Sequence, residues 1–73
     1  MTPLQQVHLR IQELGREYGH IPINIIVQEF PQNPHVAKHI EALVHLEFIY
    51  FADQEKENII LTESGKLAIV LNQ

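Results

Sequence analysis

Two prolines, Pro31 and Pro34, interrupt the middle of this chain and constrain its fold more than any other feature. Proline cannot continue a helix, and it restricts the residue before it to extended conformations. The helical patterns on either side must therefore belong to two helices joined by a tight turn. Asn33 directly before Pro34 is also a helix start signal, an N-cap followed by the first helical position. We predict a helix over about residues 34–47.

The first segment predicts a helix through its capping signals and its apolar period. Thr2 suits the N-cap, Pro3 suits the first helical position, and Gln5 completes a capping box. Gly19 is expected to end this helix. Apolar residues three or four apart form one inward stripe, namely Leu4, Val7, Ile11, Leu14 and Tyr18.

A short second helix is predicted between the first helix and the prolines. Residues 20–23 form either a stub of edge strand or a bare connection, because Pro22 does not suit a central strand. Asn24 is expected to cap a helix over residues 25–30. Its inward residues are predicted to be Ile26, Val27 and Phe30.

After the prolines, the pattern indicates a helix, a hairpin and a last helix. Two β-rich runs, residues 48–52 and 58–61, are joined by the polar residues 53–57, a length that suits a hairpin. Thr62 is expected to cap a helix from Glu63 to about Leu71. The inward residues are predicted to be Val36, Ile40, Leu43 and Val44 on the third helix and Leu67, Val70 and Leu71 on the last.

This order of elements is that of a winged helix-turn-helix, mainly α with a small β-hairpin. Residues 36–43 resemble the third helix of MarR-type and related winged-helix regulators, and residues 61–66 resemble the Leu-Thr-Glu-x-Gly-Lys segment that leaves their wing. The resemblance covers about residues 20–70 within a single predicted domain, residues 1–73. It implies a small transcriptional regulator whose recognition helix spans residues 34–47.

Two positions depart from the family pattern. Glu47 stands where the family commonly has glycine, which implies either a strained positive φ or a differently built turn. The family's wing tip usually carries arginine, whereas Asp53, Glu55 and Glu57 surround a single Lys56 here. Phosphate would repel such a wing.

The DNA-binding interpretation places the third helix in the major groove. Candidates for contact with DNA are Gln32, Asn33, His35, Lys38, His39 and Lys56, with Arg16 and Lys66 as further backbone contacts if they lie on the same side. The competing interpretation is that Asn33 only caps the helix and the others form a solvated face. The formal net charge of −4 weakens the DNA interpretation, because lysine and arginine supply most of the affinity for phosphate.

The apolar hairpin favours a different function, contact with another protein. Its first strand is apolar on both faces, and two strands can bury only one face unless another helix covers the second. An exposed face would form an interface, so we expect a homodimer, with contact to another protein as the alternative. The candidate interface residues are Leu9, Tyr50, Phe51 and Ile69.

The remaining sequence features give no sign of catalysis or of a cofactor. The chain has no cysteine and no glycine-rich phosphate loop, so we expect a protein that is not an enzyme. His35 and His39 have metal-binding spacing but lack a third ligand, and His8 and His20 are assigned no site. Neither a membrane-length apolar run nor a signal peptide is found, so a cytoplasmic location is expected.

Overall fold

The computed structural model describes residues 1–68, and within this range the chain forms four helices and three short strands. The predicted order of elements is confirmed there, including the break between the second and third helices. The strands form one antiparallel sheet, so the described chain is a small mixed α/β fold rather than a mainly helical one. In chain order the elements are α1 (Pro3–Gly15), β1 (Ile21–Pro22), α2 (Ile23–Glu29), α3 (Val36–His45), β2 (Ile49–Phe51), β3 (Asn58–Leu61) and α4 (Glu63–Leu67).

The start of α1 agrees with the prediction, whereas its end does not. Thr2 Oγ1 accepts a hydrogen bond from the Gln5 backbone N–H at 3.1 Å, and Gln5 Oε1 accepts one from the Thr2 N–H at 2.7 Å. The helix ends at Gly15, where a β-carbon would lie 2.8 Å from Leu61 Cδ2 because α1 packs closely on β3. Tyr18 lies beyond the helix and is 56% exposed, so its predicted inward position is wrong.

β1 makes the sheet three-stranded, where the sequence predicted a two-stranded wing. The strand order is β1-β3-β2, and both pairs are antiparallel. Ile21 pairs with Ile59, and Pro22 pairs with Asn58 at the sheet edge. An edge position suits proline, because no ladder hydrogen bond is required from the nitrogen that faces away from the sheet. The edge-strand interpretation of this segment is therefore the one confirmed.

α2 begins two residues earlier than predicted. Its N-cap position is Pro22, which offers no capping side chain, so Asn24 is a residue of the helix and not its cap. Ile26 is buried as predicted. Val27 is exposed, and Phe30 is half-buried just beyond the helix end, so the inward position of Val27 is wrong.

The turn between α2 and α3 ends later than predicted. α3 begins at Val36 instead of Pro34, and its N-cap position is His35, whose side chain makes no capping hydrogen bond. Asn33 Oδ1 accepts a hydrogen bond from the His35 backbone N–H at 2.8 Å. Asn33 is thus two positions before the N-cap, but it stabilises the turn in the way asparagine commonly does.

The core lies between α1, α2, α3 and one face of the sheet. The first and third helices bury their predicted stripes, with Leu4, Leu14 and Val44 half-buried at the margin. No residue of α4 belongs to the core of residues 1–68. The buried apolar residues in this range are Val7, Ile11, Ile21, Ile26, Val36, Ile40, Leu43, Ile49, Ile59 and Leu61.

Glu47, two residues after the end of α3, has a left-handed conformation, with φ of 64°. The Phe48 N–H donates to the Leu43 carbonyl at 3.0 Å, and the Glu47 N–H donates to the Val44 carbonyl at 2.9 Å. These two hydrogen bonds define a Schellman motif, in which glycine is the usual residue at the left-handed position. The first alternative from the sequence, a positive φ at Glu47, is therefore the one found.

The predicted N-terminus of α4 is confirmed, but its apolar side is not. Thr62 Oγ1 accepts a hydrogen bond from the Gly65 N–H at 2.9 Å and so caps the helix. Leu67 is 85% exposed, so its predicted inward position is wrong. The other predicted inward residues, Val70 and Leu71, lie outside the described residues.

Gly65 lets α4 pass against the backbone that leads into β2. A β-carbon at Gly65 would lie 2.0 Å from the Phe48 carbonyl oxygen. Thr62 Oγ1 lies 2.8 Å from the Glu47 carbonyl oxygen and 3.0 Å from that of Phe48. The threonine and the glycine of the Leu-Thr-Glu-Ser-Gly-Lys segment thus both serve one close contact between backbones.

Two side chains one turn apart on α1 hold α4 in place. His8 is 2% exposed, its ring stacks on Phe48 with centroids 5.2 Å apart, and its Nε2 donates to the Gly65 carbonyl at 3.1 Å. Gln12 Nε2 donates to the same carbonyl at 2.8 Å and to that of Ala68 at 2.9 Å. Burial lowers the pKa of His8, and the Gly65 hydrogen bond only partly opposes it. The burial of His8 was not predicted from the sequence.

Candidate functional site

The outer face of α3 is the surface on which the DNA-binding interpretation depends. Lys38, Glu41 and His45 lie three and four residues apart on α3, so they share a face, and all three are exposed. Gln32 and His35 are also exposed and line an open depression between the turn before α3 and the start of α1. Lys38 thus shares its face of α3 with the carboxylate of Glu41.

Two of the predicted DNA contacts on this side have a polar atom that is engaged or buried within the fold. The side-chain Oδ1 of Asn33 accepts the hydrogen bond from the His35 backbone N–H, as described above. His39 Nε2 is buried and has no hydrogen-bond partner. Burial, and to a smaller extent the nearby His35, lowers the pKa of His39, so protonation there is disfavoured. Contact of His39 with a base or phosphate stays a prediction, but the buried Nε2 disfavours it.

The hairpin tip is organised by a carboxylate. Asp53 Oδ1 accepts hydrogen bonds from the backbone N–H groups of Glu57 and Asn58 at 3.0 and 3.2 Å, and the Asn58 side chain donates to Oδ2. Partial desolvation raises the pKa of Asp53, but the hydrogen bonds from Asn58 and Glu57 together outweigh it and the net pKa is lowered. Asp53 therefore stays ionised and folds the turn, while Glu55 and Glu57 point their charges to solvent.

Lys56, the one predicted basic contact in the hairpin, faces back toward the sheet. Its Nζ lies 5.4 Å from the centre of the Phe51 ring, a cation–π arrangement. Lys56 also has a left-handed backbone conformation, with φ of 59°. A groove of about 340 Å³ lies between α3 and the hairpin. It is lined by Lys56 and Phe51 together with Glu41, Val44 and His45. We call this surface, with the exposed residues around it, the α3–hairpin face.

The segment that supplies α3 and the hairpin is acidic. Between residues 31 and 62 the chain carries two lysines, Lys38 and Lys56, and five carboxylates, so this segment has a formal net charge of −3. The carboxylates are Glu41, Glu47, Asp53, Glu55 and Glu57. Such a surface repels phosphate and attracts cationic groups.

The basic residues outside this segment do not offset its excess of carboxylates. Arg10 forms a two-pronged ion pair with Glu29, with N–O distances of 2.5 and 3.2 Å, and also contacts Glu13. The Lys66 ammonium lies 3.0 Å from Glu63. Arg16 lies with Lys66 in a depression beside α4, lined also by Gln12 and Leu67. Within the described chain, Arg16 and Lys38 are thus the basic side chains with neither an ion pair nor a ring contact.

The predicted interface residues are placed on different elements. Leu9 on α1 is 41% exposed, and Tyr50 on the outer face of the sheet, opposite Ile60, is 49% exposed. Phe51 points to the inner face and packs half-buried against the core, so α3 and the sheet already cover much of it. Ile69 lies outside the described residues.

A second apolar surface was not anticipated. Tyr18, Ile25 and Leu14 line a groove of about 410 Å³ together with residues 20–22. Ile25 was expected to begin a helix and Tyr18 to face inward, so neither suggested an open groove. The groove contains no charged side chain.

Residues 1–68 hold no group of three histidine, cysteine or carboxylate side chains close enough together to bind a metal ion. No helix in this range is long and apolar enough to cross a membrane. Comparisons of the chain with known protein families, with curated proteins and with solved structures find no match.

Proposed function

We propose that the chain is a winged-helix domain. In support of this, α2 and α3 follow each other across a tight turn, the hairpin β2–β3 comes directly after α3, and β1 completes a sheet of order β1-β3-β2. α3 packs one side on the core and leaves the other side open, as a recognition helix requires. The α3–hairpin face is then the surface through which this domain recognises a partner.

We further propose that the partner bound at this face is a protein with a basic surface, so that the alternative function from the sequence becomes the preferred one. The observation that carries this proposal is the net charge of −3 on residues 31–62, with Lys56 turned onto Phe51. DNA binding draws its affinity from several lysines or arginines at phosphates, each of which releases counterions. Lys38 alone cannot supply that affinity against exposed Glu41, Glu55 and Glu57.

The groove of this face also suits a protein side chain. Val44 and Phe51 are its apolar lining residues, and Glu41 lines it together with His45 and Lys56. Interfaces that combine an apolar centre with charges at the rim gain rate and specificity from the charges. An arginine or lysine of the partner would lie between Glu41 and the hairpin carboxylates.

Binding of duplex DNA, with α3 as the reader of a transcriptional regulator, is the second candidate. It is favoured by Lys38, which is exposed on α3 without an ion pair, and by Gln32 and His35 at the same end of the helix. These three side chains can reach base edges or phosphates if the acidic hairpin stays clear of the duplex. A homodimer also remains a prediction, with Leu9 and Tyr50 as its exposed candidate residues.

Chemical-shift mapping distinguishes the two candidates. The ¹⁵N-labelled chain is titrated with a lysine- and arginine-rich peptide and, separately, with a random-sequence duplex. We expect the peptide to shift the amide signals of Glu41, His45, Glu55 and Glu57, and the duplex to shift none of them. The double variant Glu55→Lys/Glu57→Lys should weaken peptide binding.

Glu17→Lys is the matched control, because Glu17 is exposed and lies outside the α3–hairpin face. Each Glu→Lys substitution changes the net charge of the chain by the same amount. The control therefore separates the effect of charge on the α3–hairpin face from the effect of the overall charge. If the duplex shifts the α3 signals in a salt-sensitive way and the peptide does not, the protein-binding proposal is wrong and DNA binding takes its place.

A further inference from the structure

α4 is attached to the rest of the fold almost entirely by polar contacts. It contributes no residue to the core of the described chain, and Leu67 is exposed. Its attachments are the Thr62 cap, the close passage of Gly65 along the Phe48 backbone, and the hydrogen bonds from His8 and Gln12. An element held in this way can detach while the core stays packed.

His8 is the one titratable side chain among these attachments. To donate to the Gly65 carbonyl, the neutral ring must carry its proton on Nε2. A second proton would then sit on Nδ1 and place a full charge on a side chain that is almost completely buried. A buried charge is costly unless it is paired.

Among residues 1–68, no charged side chain compensates for that proton. On α4, Glu63 and Lys66 pair with each other, and Glu47, which precedes the stacked Phe48, is exposed. On α1, the neighbour one turn further on is the neutral Gln12. The pKa of His8 is lowered by burial, and the Gly65 hydrogen bond is the opposing influence. Exposing the ring to water therefore removes the free-energy cost of protonating it.

We propose that His8 makes the attachment of α4 to α1 dependent on pH, so that mild acid releases α4 while the three-helix core and the sheet stay folded. Release would uncover the α1 surface around Gln12 and the side of Leu61 that α4 covers. The inference does not depend on what the α3–hairpin face binds.

Amide hydrogen exchange at single residues, measured from about pH 7.5 to about pH 5, tests this device. We expect the protection factors of Lys66 and Ala68 to fall by up to about tenfold per pH unit below about pH 6.5, the limit for one proton. Protection of Leu43 and Ile59 in the core should also fall, because global unfolding exposes His8 and His39 as well, but it should stay well above that of Lys66 and Ala68 at every pH. If Lys66 and Ala68 are as strongly protected as Leu43 and Ile59 throughout, α4 opens only with global unfolding and the proposal is overturned.

His8→Gln is the informative variant, because Gln12 already shows that a glutamine on α1 reaches the Gly65 carbonyl. It should keep α4 protected and abolish the pH dependence. His20→Gln, at an exposed histidine, should leave the dependence as it is in the unmodified chain. If His8→Gln does not fold, the imidazole signal of His8 in the unmodified chain decides, since a titration midpoint at or above 6.5 refutes the proposal.

Discussion

Gly65→Ala places a methyl group where α4 passes the backbone before β2. The added carbon would lie 2.0 Å from the Phe48 carbonyl oxygen and 2.8 Å from its carbonyl carbon. Backbone atoms cannot rotate away as a side chain can, so α4 must move by more than about 1 Å to restore ordinary separations. That movement also weakens the hydrogen bonds of His8 and Gln12 to the Gly65 carbonyl.

The expected cost combines two effects. Overpacking costs about 1–3 kcal/mol, and each of the two weakened hydrogen bonds about 1 kcal/mol, so the free energy of unfolding should fall by about 3–5 kcal/mol. A chain of this length has a total stability of about 4–11 kcal/mol. At about 4–8 °C per kcal/mol for a domain of this size, the corresponding fall in Tm is on the order of 12–40 °C.

Urea unfolding followed by circular dichroism measures this loss. Gly19→Ala is the matched control, because a β-carbon there meets nothing within 4 Å and the residue has no positive φ. The control should be neutral or stabilising by up to about 1 kcal/mol. A Gly65→Ala variant within about 0.5 kcal/mol of the unmodified chain would show that α4 does not pack as described.

Three more outcomes are expected. Glu47→Gly should raise the free energy of unfolding by about 0.5–1 kcal/mol in urea titrations, because relief of the left-handed strain exceeds the entropy that glycine adds to the unfolded chain; a loss would contradict the strain argument. Because the folded pKa values of His8 and His39 are both lowered, the unfolded chain binds more protons below about pH 6.5. Stability should therefore be complete above that pH and fall as the pH drops toward the folded values, whereas a flat profile between about pH 7 and pH 5 would be inconsistent with both burials. If the predicted homodimer forms, sedimentation at micromolar concentration should show it and Tyr50→Glu should dissociate it, while a monomeric unmodified chain would remove the interface hypothesis.

Features encoded by neighbouring residues were predictable from the sequence. The capping box of Thr2 and Gln5, the cap at Thr62 and the hairpin around Asp53 depend on local hydrogen bonds that particular residue types make at fixed spacing. The same holds for the separation of the two helices at the prolines. The positive φ at Glu47 was anticipated only because a related pattern has glycine there.

Features that depend on tertiary packing were not predictable. α1 ends near its contact with Leu61, and nothing in the local sequence distinguishes Gly15 from the later glycine as the last helical residue. His8 is polar and was assigned no site, yet α4 and Phe48 cover it. A histidine one position from the buried Val7 was the only available signal, and it does not by itself indicate burial.

For the candidate site residues, the sequence predicted which of them lie on or beside α3 and the hairpin. It did not predict which of their side chains are free to contact a partner. Gln32, His35 and Lys38 are exposed beside α3, as a reading helix requires. His39 and Lys56 are engaged within the fold because their side chains turn toward neighbouring elements, which the sequence does not specify. This difference shifts the preferred partner from DNA to a basic protein.

The salt dependence of binding to a fluorescent random-sequence duplex tests whether the α3–hairpin face binds DNA. At about 50 mM salt, where attraction to phosphate is strong, the acidic α3–hairpin face predicts no measurable change in anisotropy. Micromolar binding that weakens steeply as salt is added would contradict the account, because it would require several phosphate contacts from a face with one free lysine.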